Sequence, residues 1–153
     1  MGIVVVDIDG TIAEASPDRL KFIQQERKDW DKFYEMRFDD KPIMDIISLV
    51  KSLQDSGHDI FFCTGRRKST YTLTRDWMSI HLPDTLMFAP LIMRPDDDGS
   101  HDTECKPKAL DRYLGFYDLS KDDVFMILED RNSMVKRWRE LGYRCLQVQE
   151  GDF

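Results

Sequence analysis

The sequence predicts an α/β fold of three layers, with one open, mostly parallel sheet covered by helices on both faces. Two observations carry this. Short apolar runs rich in β-branched residues alternate with segments of helical periodicity about ten to fifteen residues long, the pattern of βαβ units. The runs are also apolar at consecutive positions, as strands buried on both faces are. A chain of 153 residues, 41% hydrophobic and 33% charged, suits such a globular fold. No repeat or linker interrupts the alternation, so residues 1–153 are expected to form a single domain.

Gly2–Asp7 reads as the first buried strand. Residues 14–40 are charged and aromatic, and read as a small irregular or helical insertion. Pro42 suits a helix start, Ile43, Ile46, Ile47, Val50 and Leu53 follow at helical spacing, and Gly57 ends that helix. Asp59–Cys63 is the second strand. Thr72–Leu82 is a helix stopped by Pro83. Leu86–Phe88 and Leu91–Met93 read as strand-like runs broken by Pro90 and Pro95. Arg94–Glu104 reads as a polar, acidic loop, and Pro107–Phe116 as a helix with Pro107 in its first turn. Asp123–Leu128 is a strand, Ser133–Leu141 a helix ended by Gly142, and Arg144–Val148 the last strand.

The net charge of −7 argues against sequence-independent coating of nucleic acid, while leaving room for a local basic pocket. No apolar run approaches the roughly 18 residues of a membrane span, and Ile3–Val6 is too short for a signal-peptide core. The expectation is a cytoplasmic protein with no membrane partner. Cys63, Cys105 and Cys145 are widely spaced without a CxxC, which predicts reduced thiols rather than a disulfide framework or a zinc site.

In an open parallel sheet the ligand lies beyond the carboxyl ends of the strands, and here those ends are reactive. The first runs into Asp7-Ile-Asp9-Gly10-Thr11, two carboxylates followed by a glycine that permits a sharp turn. The second ends in Thr64-Gly65-Arg66, a hydroxyl, free amides and a guanidinium suited to phosphate oxygens. Lys106 opens a helix after the acidic loop, and a later strand ends in Glu129-Asp130-Arg131. Crowded acids need a counter-charge to stay ionised, and magnesium, which takes oxygen ligands, supplies one. Asp and Gly are ordinary turn residues singly; the joint pattern at successive strand ends is what signals a site.

These residues resemble the haloacid dehalogenase (HAD) superfamily. Asp7-Ile-Asp9-Gly10-Thr11-Ile12 is similar to its first motif, and Thr64, Lys106 and Glu129–Asp130 fall where its second, third and fourth motifs fall. Within it the sequence is most similar to the 3′-phosphatase domain of phage-type polynucleotide kinase–phosphatases, through Thr64–Arg66, Thr74–Trp77, Glu129–Arg131, Trp138–Gly142 and Gly151–Phe153. The resemblance implies a Rossmann-like HAD fold with a small cap at about 14–40. It implies a phosphoric monoester hydrolase in which Asp7 is the nucleophile, forming an aspartyl-phosphate, and Asp9 the general acid and base. Mg²⁺ would sit on Asp7, the backbone carbonyl of Asp9 and Asp130; Glu129 either joins them or stands behind Asp130. Thr64 and Lys106 would hold the phosphoryl oxygens, with Gly10, Thr11, Gly65, Arg66 and Arg131 around the substrate. The expected substrate is a phosphorylated nucleic-acid 3′ end, as in end repair, with a functional link to a 5′-kinase or ligase. Alternatives are a phosphatase of free nucleotides or other small esters and a non-catalytic phosphate-binding module. An acid at position 9 favours phosphoryl transfer over dehalogenation, and no GxxxxGK[ST] loop is present.

Trp30, Phe33, Tyr34 and Phe38 either pack the insertion against the sheet or stack on a base, with packing the expectation. The basic run Arg66–Lys68, with Arg75, reads either as a groove for a nucleic-acid strand or, for Arg67 and Lys68, as solvated charge, with solvation the expectation. Asp96–Gly99 lacks the twelve-residue pattern of a calcium loop, and His58, His81 and His101 show no ligand spacing.

Overall fold

A computed structural model of the protein describes residues 1–35 and 40–153. Five parallel strands form the central sheet: β1 (Ile3–Val6), β4 (Asp59–Arg67), β5 (Leu91–Arg94), β6 (Val124–Arg131) and β7 (Cys145–Gly151), in the order β5-β4-β1-β6-β7. The chain builds outward from β1 to β5 and then returns to lay β6 and β7 on the other side. The direction of winding therefore reverses beside β1, and a crevice opens at its carboxyl end.

The four residues of β1 explain both faces of the sheet. Val4 and Val6 join Ile60, Phe62 and Leu128 in a core closed by α3 (Met44–Asp55) and α4 (Tyr71–His81), through Ile47, Val50, Trp77 and Met78. Ile3 and Val5 point the other way, to Phe61, Cys63 and Ile127. They meet Leu110 and Leu114 of α6 (Asp102–Phe116) and Met134, Val135 and Trp138 of α7 (Asn132–Glu140). The three cysteines are buried and free. Between β2 (Ala13–Glu14) and its antiparallel partner β3 (Lys41–Pro42) lie α1 (Pro17–Gln24) and α2 (Trp30–Glu35). These helices carry a small cluster of their own, in which Ile23 and Phe33 are buried against Leu20, Phe22 and Trp30. Phe38 lies outside the described residues, as does the side chain of Tyr34. Among the described residues no helix is long and apolar enough to cross a membrane.

Several expected boundaries change. Leu86–Phe88 is not a strand: α5 (Asp84–Met87) is a single helical turn, started by Leu86 and Met87 N–H groups donating to the Pro83 carbonyl at 2.8 and 3.1 Å. Pro42 does not start a helix; it pairs with Ala13, and α3 begins at Met44. A two-residue ribbon tolerates a residue that cannot donate. Helix α6 starts at Asp102, which places Pro107 inside it and Lys106 in its second turn. The Thr103 carbonyl, which the missing Pro107 N–H would have bonded, accepts instead from Arg137 Nε at 3.2 Å. Strands β4 and β6 run past their apolar stretches to Arg67 and Arg131. Register shifts fall between Cys63 and Arg67 and between Glu129 and Arg131, at the ends that carry polar side chains.

Candidate active site

Asp7 follows β1, Lys106 projects from α6, and Glu129 and Asp130 come from the end of β6. All four are buried. Lys106 Nζ donates to Asp7 Oδ1 at 2.7 Å and to Glu129 Oε2 at 2.6 Å. Glu129 Oε1 accepts the backbone N–H of Asp130 at 3.2 Å and of Arg131 at 3.4 Å, so both its oxygens are engaged. Thr11 Oγ lies 3.4 Å from Asp7 Oδ2 and 3.5 Å from Asp130 Oδ1, so its hydroxyl faces carboxylates. Three acids thus meet one ammonium. Burial raises the Asp7 carboxyl well above its usual range, and Glu129 and Asp130 add to this against the pull of Lys106. Burial and Glu129 push Asp130 up to about 7. Lys106 is raised, because Asp7 and Glu129 more than offset the burial that disfavours its charge.

Carboxylate oxygens of Asp7, Glu129 and Asp130 come within 4.8 Å of one another. A hard-oxygen set with surplus negative charge and raised acids fits a small divalent cation such as magnesium. Gly10 gives this set its room: its φ is +86°, and a Cβ there would stand 1.9 Å from Asp130 Oδ2.

Asp9 sits in a second cluster. Arg66 grips it with two nitrogens, Nε to Oδ2 at 2.9 Å and Nη2 to Oδ1 at 2.6 Å, and Arg19 Nη2 adds a contact at 3.2 Å. Arg19 also pairs with Asp40, to which Arg66 approaches at 3.6 Å, while Arg66 Nη1 donates to Thr74 Oγ1 at 3.2 Å. Both arginine side chains are fully buried, so the expected phosphate fork of Arg66 is instead turned onto Asp9. Burial alone would raise Asp9, yet Arg66 and Arg19 together hold its carboxyl well below the usual carboxylate range.

A third cluster stands at the rim. Asp102 bridges Arg94 and Arg131, the latter at 2.9 Å. Arg131 Nε donates to the Phe153 carbonyl at 2.9 Å, and its guanidinium lies 5.1 Å from the Trp30 ring and 5.3 Å from that of Phe153. Gly65 must lack a side chain, since a Cβ would come within 2.5 Å of the Asp102 carboxylate. Thr64 is buried and accepts the Arg66 backbone N–H at 3.2 Å.

Asp7, Asp9, Thr64, Gly65, Lys106, Glu129, Asp130 and Arg131 line one pocket of about 20 Å³, together with Asp102, Trp30, Phe33 and Phe153. Gly10 faces a neighbouring cleft, and Thr11 and Arg66 stand behind the carboxylates. The sequence reading missed Arg19, Asp40 and Asp102. For Asp102 a signal exists: it precedes Lys106 by four residues, one turn along the same helix face. Arg19 lies within the insertion, in α1, and Asp40 at its end, and neither offers a comparable cue.

A family model for the polynucleotide kinase PNKP phosphatase domain matches residues 1–153. Among solved structures, a chain of the Pnkp1/Rnl/Hen1 complex is 22% identical, with a TM-score of 0.77 over 100% of this chain and 47% of that one. A second such chain, from a structure described as an RNA repair complex, has 22% identity and a TM-score of 0.74 over 99% and 44%. The chain therefore spans less than half the length of these relatives. A D,D-heptose 1.7-bisphosphate phosphatase from B. bronchiseptica, complexed with magnesium and phosphate, is 16% identical with a TM-score of 0.63 over 96% and 80%. A hydrolase of the haloacid dehalogenase-like family from Streptococcus pneumoniae, 14% identical, has a TM-score of 0.64 over 96% and 84%.

Proposed function

The chain belongs to the polynucleotide kinase PNKP phosphatase-domain family, phosphoric monoester hydrolases of HAD type, and from that premise we propose that it removes phosphate from nucleic-acid 3′ ends with magnesium through an aspartyl-phosphate. Residues 1–153 act as one domain in this reading, with α1 and α2 as a small cap. The observation that carries it is the pairing of an Asp7 held by Lys106 with an Asp9 held by Arg66, over one pocket at the end of β1.

Asp7, Asp130 and the Asp9 backbone carbonyl hold the metal in this reading, and Glu129 positions Lys106. The ion, when bound, offsets the repulsion between the Asp7 carboxylate and an anionic phosphate. Asp7 attacks phosphorus with the oxygen that Lys106 leaves free, and the P–O bond to the sugar breaks. Asp9 gives the leaving oxygen a proton, which the phosphate monoanion brings in. Asp9 then takes a proton from the water that attacks the acyl phosphate, restoring Asp7 and releasing phosphate. Its arginines favour the carboxylate form that this second half needs. Thr64 and Lys106 hold phosphoryl oxygens throughout.

A repair complex among the fold neighbours supports a nucleic-acid end as substrate and a 5′-kinase or ligase as a working partner. The test is phosphate release, with magnesium, from a 3′-phosphorylated oligonucleotide, a 5′-phosphorylated oligonucleotide and a 3′-mononucleotide, with Asp7→Asn as control. Preference for the first, lost in the variant, is the expected result. Equal or better release from the mononucleotide would replace this reading with a nucleotidase.

A further inference from the structure

We propose that the phosphodiester on the 5′ side of the terminal nucleotide binds Arg67, in the place where the Asp31 carboxylate now stands, which makes Arg67 the residue that separates a polynucleotide end from a mononucleotide. This rests on the 3′-phosphatase reading of the neighbouring pocket.

That pocket, at about 20 Å³, is far too small for a nucleoside, so everything beyond the phosphoryl group must lie outside it. Clefts of opposite character adjoin it. One, of about 460 Å³, carries Glu14, Glu150 and Asp152 besides Asp9 and Asp130, and among the described residues no lysine or arginine lines it. A phosphodiester chain is repelled there. The other, of about 290 Å³, shares Trp30, Asp102 and Arg131 with the catalytic pocket and holds Arg67 and Arg94. Its size is at the lower end of small-molecule sites, roughly 300 Å³, and suits one nucleoside.

The three guanidiniums of that cleft are not equivalent. Arg94 and Arg131 are nearly buried and committed to Asp102. Arg67 is 30% exposed, and the carbonyls of Asp96 and Asp98 hold its Nη1 at 2.7 and 3.2 Å. Among the described residues its Nε meets one carboxylate, the 70% exposed Asp31 of α2, at 3.2 Å. An exposed pair of this kind contributes little. A phosphodiester offers the same acceptor oxygens to a guanidinium already fixed in place. Asp31 thus marks an anion position on the exit path of the strand.

The experiment measures 3′-phosphate loss from a nucleoside 3′-monophosphate, a nucleoside 3′,5′-bisphosphate and a 3′-phosphorylated dinucleotide, with magnesium, resolving products chromatographically. In the unmodified protein kcat/KM is expected to favour the last two by about tenfold, chiefly through KM. Arg67→Gln should bring the three substrates within about twofold, and should flatten the dependence of log KM on log salt for the dinucleotide by about 0.7. Asp31→Asn, which removes the competing carboxylate, should widen the preference. Lys136→Gln, an equal charge change on the exposed face of α7, should leave it unaltered. A preference that survives Arg67→Gln, or a loss that falls equally on the monophosphate, overturns the proposal while the phosphatase reading stands. No release from any substrate, with the protein folded, would sink the phosphatase reading and this proposal with it.

Discussion

Asp9 takes two nitrogens from Arg66 and a third from Arg19, and Asp40 balances the second arginine, so two acids and two bases share one buried space. Removing one member strands the others. Arg66→Ala is therefore expected to destabilise the fold by about 3–5 kcal/mol, read from the urea midpoint. Arg66→Lys keeps the charge but loses the fork, so the protein should stay folded while kcat falls by about 10²-fold. The direction of the pH effect follows from the same contact. Loosening a guanidinium raises the Asp9 carboxyl, so the Arg66→Lys rate should fall off at higher pH on the acid side than the unmodified rate. An unchanged acid limb would mean that Asp9 does not act as the base. Asp7 behaves in the opposite sense, because burial and two neighbouring acids disfavour its charge. Asp7→Asn relieves that repulsion, so activity should drop by about 10³-fold or more while the melting temperature holds or rises. A variant that lost both together would point to a structural role for Asp7.

The turn between β1 and β2 shows how an element's backbone serves the site. Gly10 adopts a φ of +86° and leaves the space that the Asp130 carboxylate fills. Gly10→Ala forces both a strained backbone and a collision, at a cost of about 1–3 kcal/mol. Isothermal titration with magnesium should show weaker binding in this variant, since Asp130 has to move; unchanged binding would remove Asp130 from the ligand set. This turn was legible in the sequence, as were β1, the reactive strand ends and the alternation of elements, because each is written in neighbouring residues. What was not legible depends on distant ones. Arg19 and Asp40 stand twenty-one positions apart and acquire meaning only when α1 folds onto the site. Arg66 reads as a phosphate fork until Asp9 is placed within 2.6 Å of it. Pro107 reads as a helix start because it has no N–H to donate, and it sits inside α6 because Arg137, thirty-four residues beyond Thr103, takes up the carbonyl left free. Leu86 is apolar in a short run, and only Pro83 turns that run into a helical turn.

For the molecule as a whole, these raised acids make stability depend on pH and metal together. Asp130 is pushed up to about 7, and an unfolded aspartate titrates near 4. Between those values the folded chain holds a proton that the unfolded chain has released, so stability falls as pH rises through this window, and Asp7 acts in the same direction. Asp9 is lowered instead, so its contribution is complete above about pH 4 and is lost only in stronger acid. Without metal the melting temperature should therefore be higher at pH 5 than at pH 7.5. Magnesium binds the ionised carboxylates and stabilises only the folded state, so its effect should grow over the same interval. The net charge of −7 also disfavours compaction as pH rises, and a comparison of variants separates the two causes. Asp130→Asn should flatten both the metal-free slope and the magnesium response, whereas Glu26→Gln, which removes one exposed charge, should leave the magnesium response in place. Thermal melts in chelator and in magnesium at pH 5 and 7.5 decide the matter. A metal-free melting temperature that rises toward pH 7.5, or a magnesium shift of equal size at both values, would mean that these carboxylates are not the charged centre on which the fold and the metal compete.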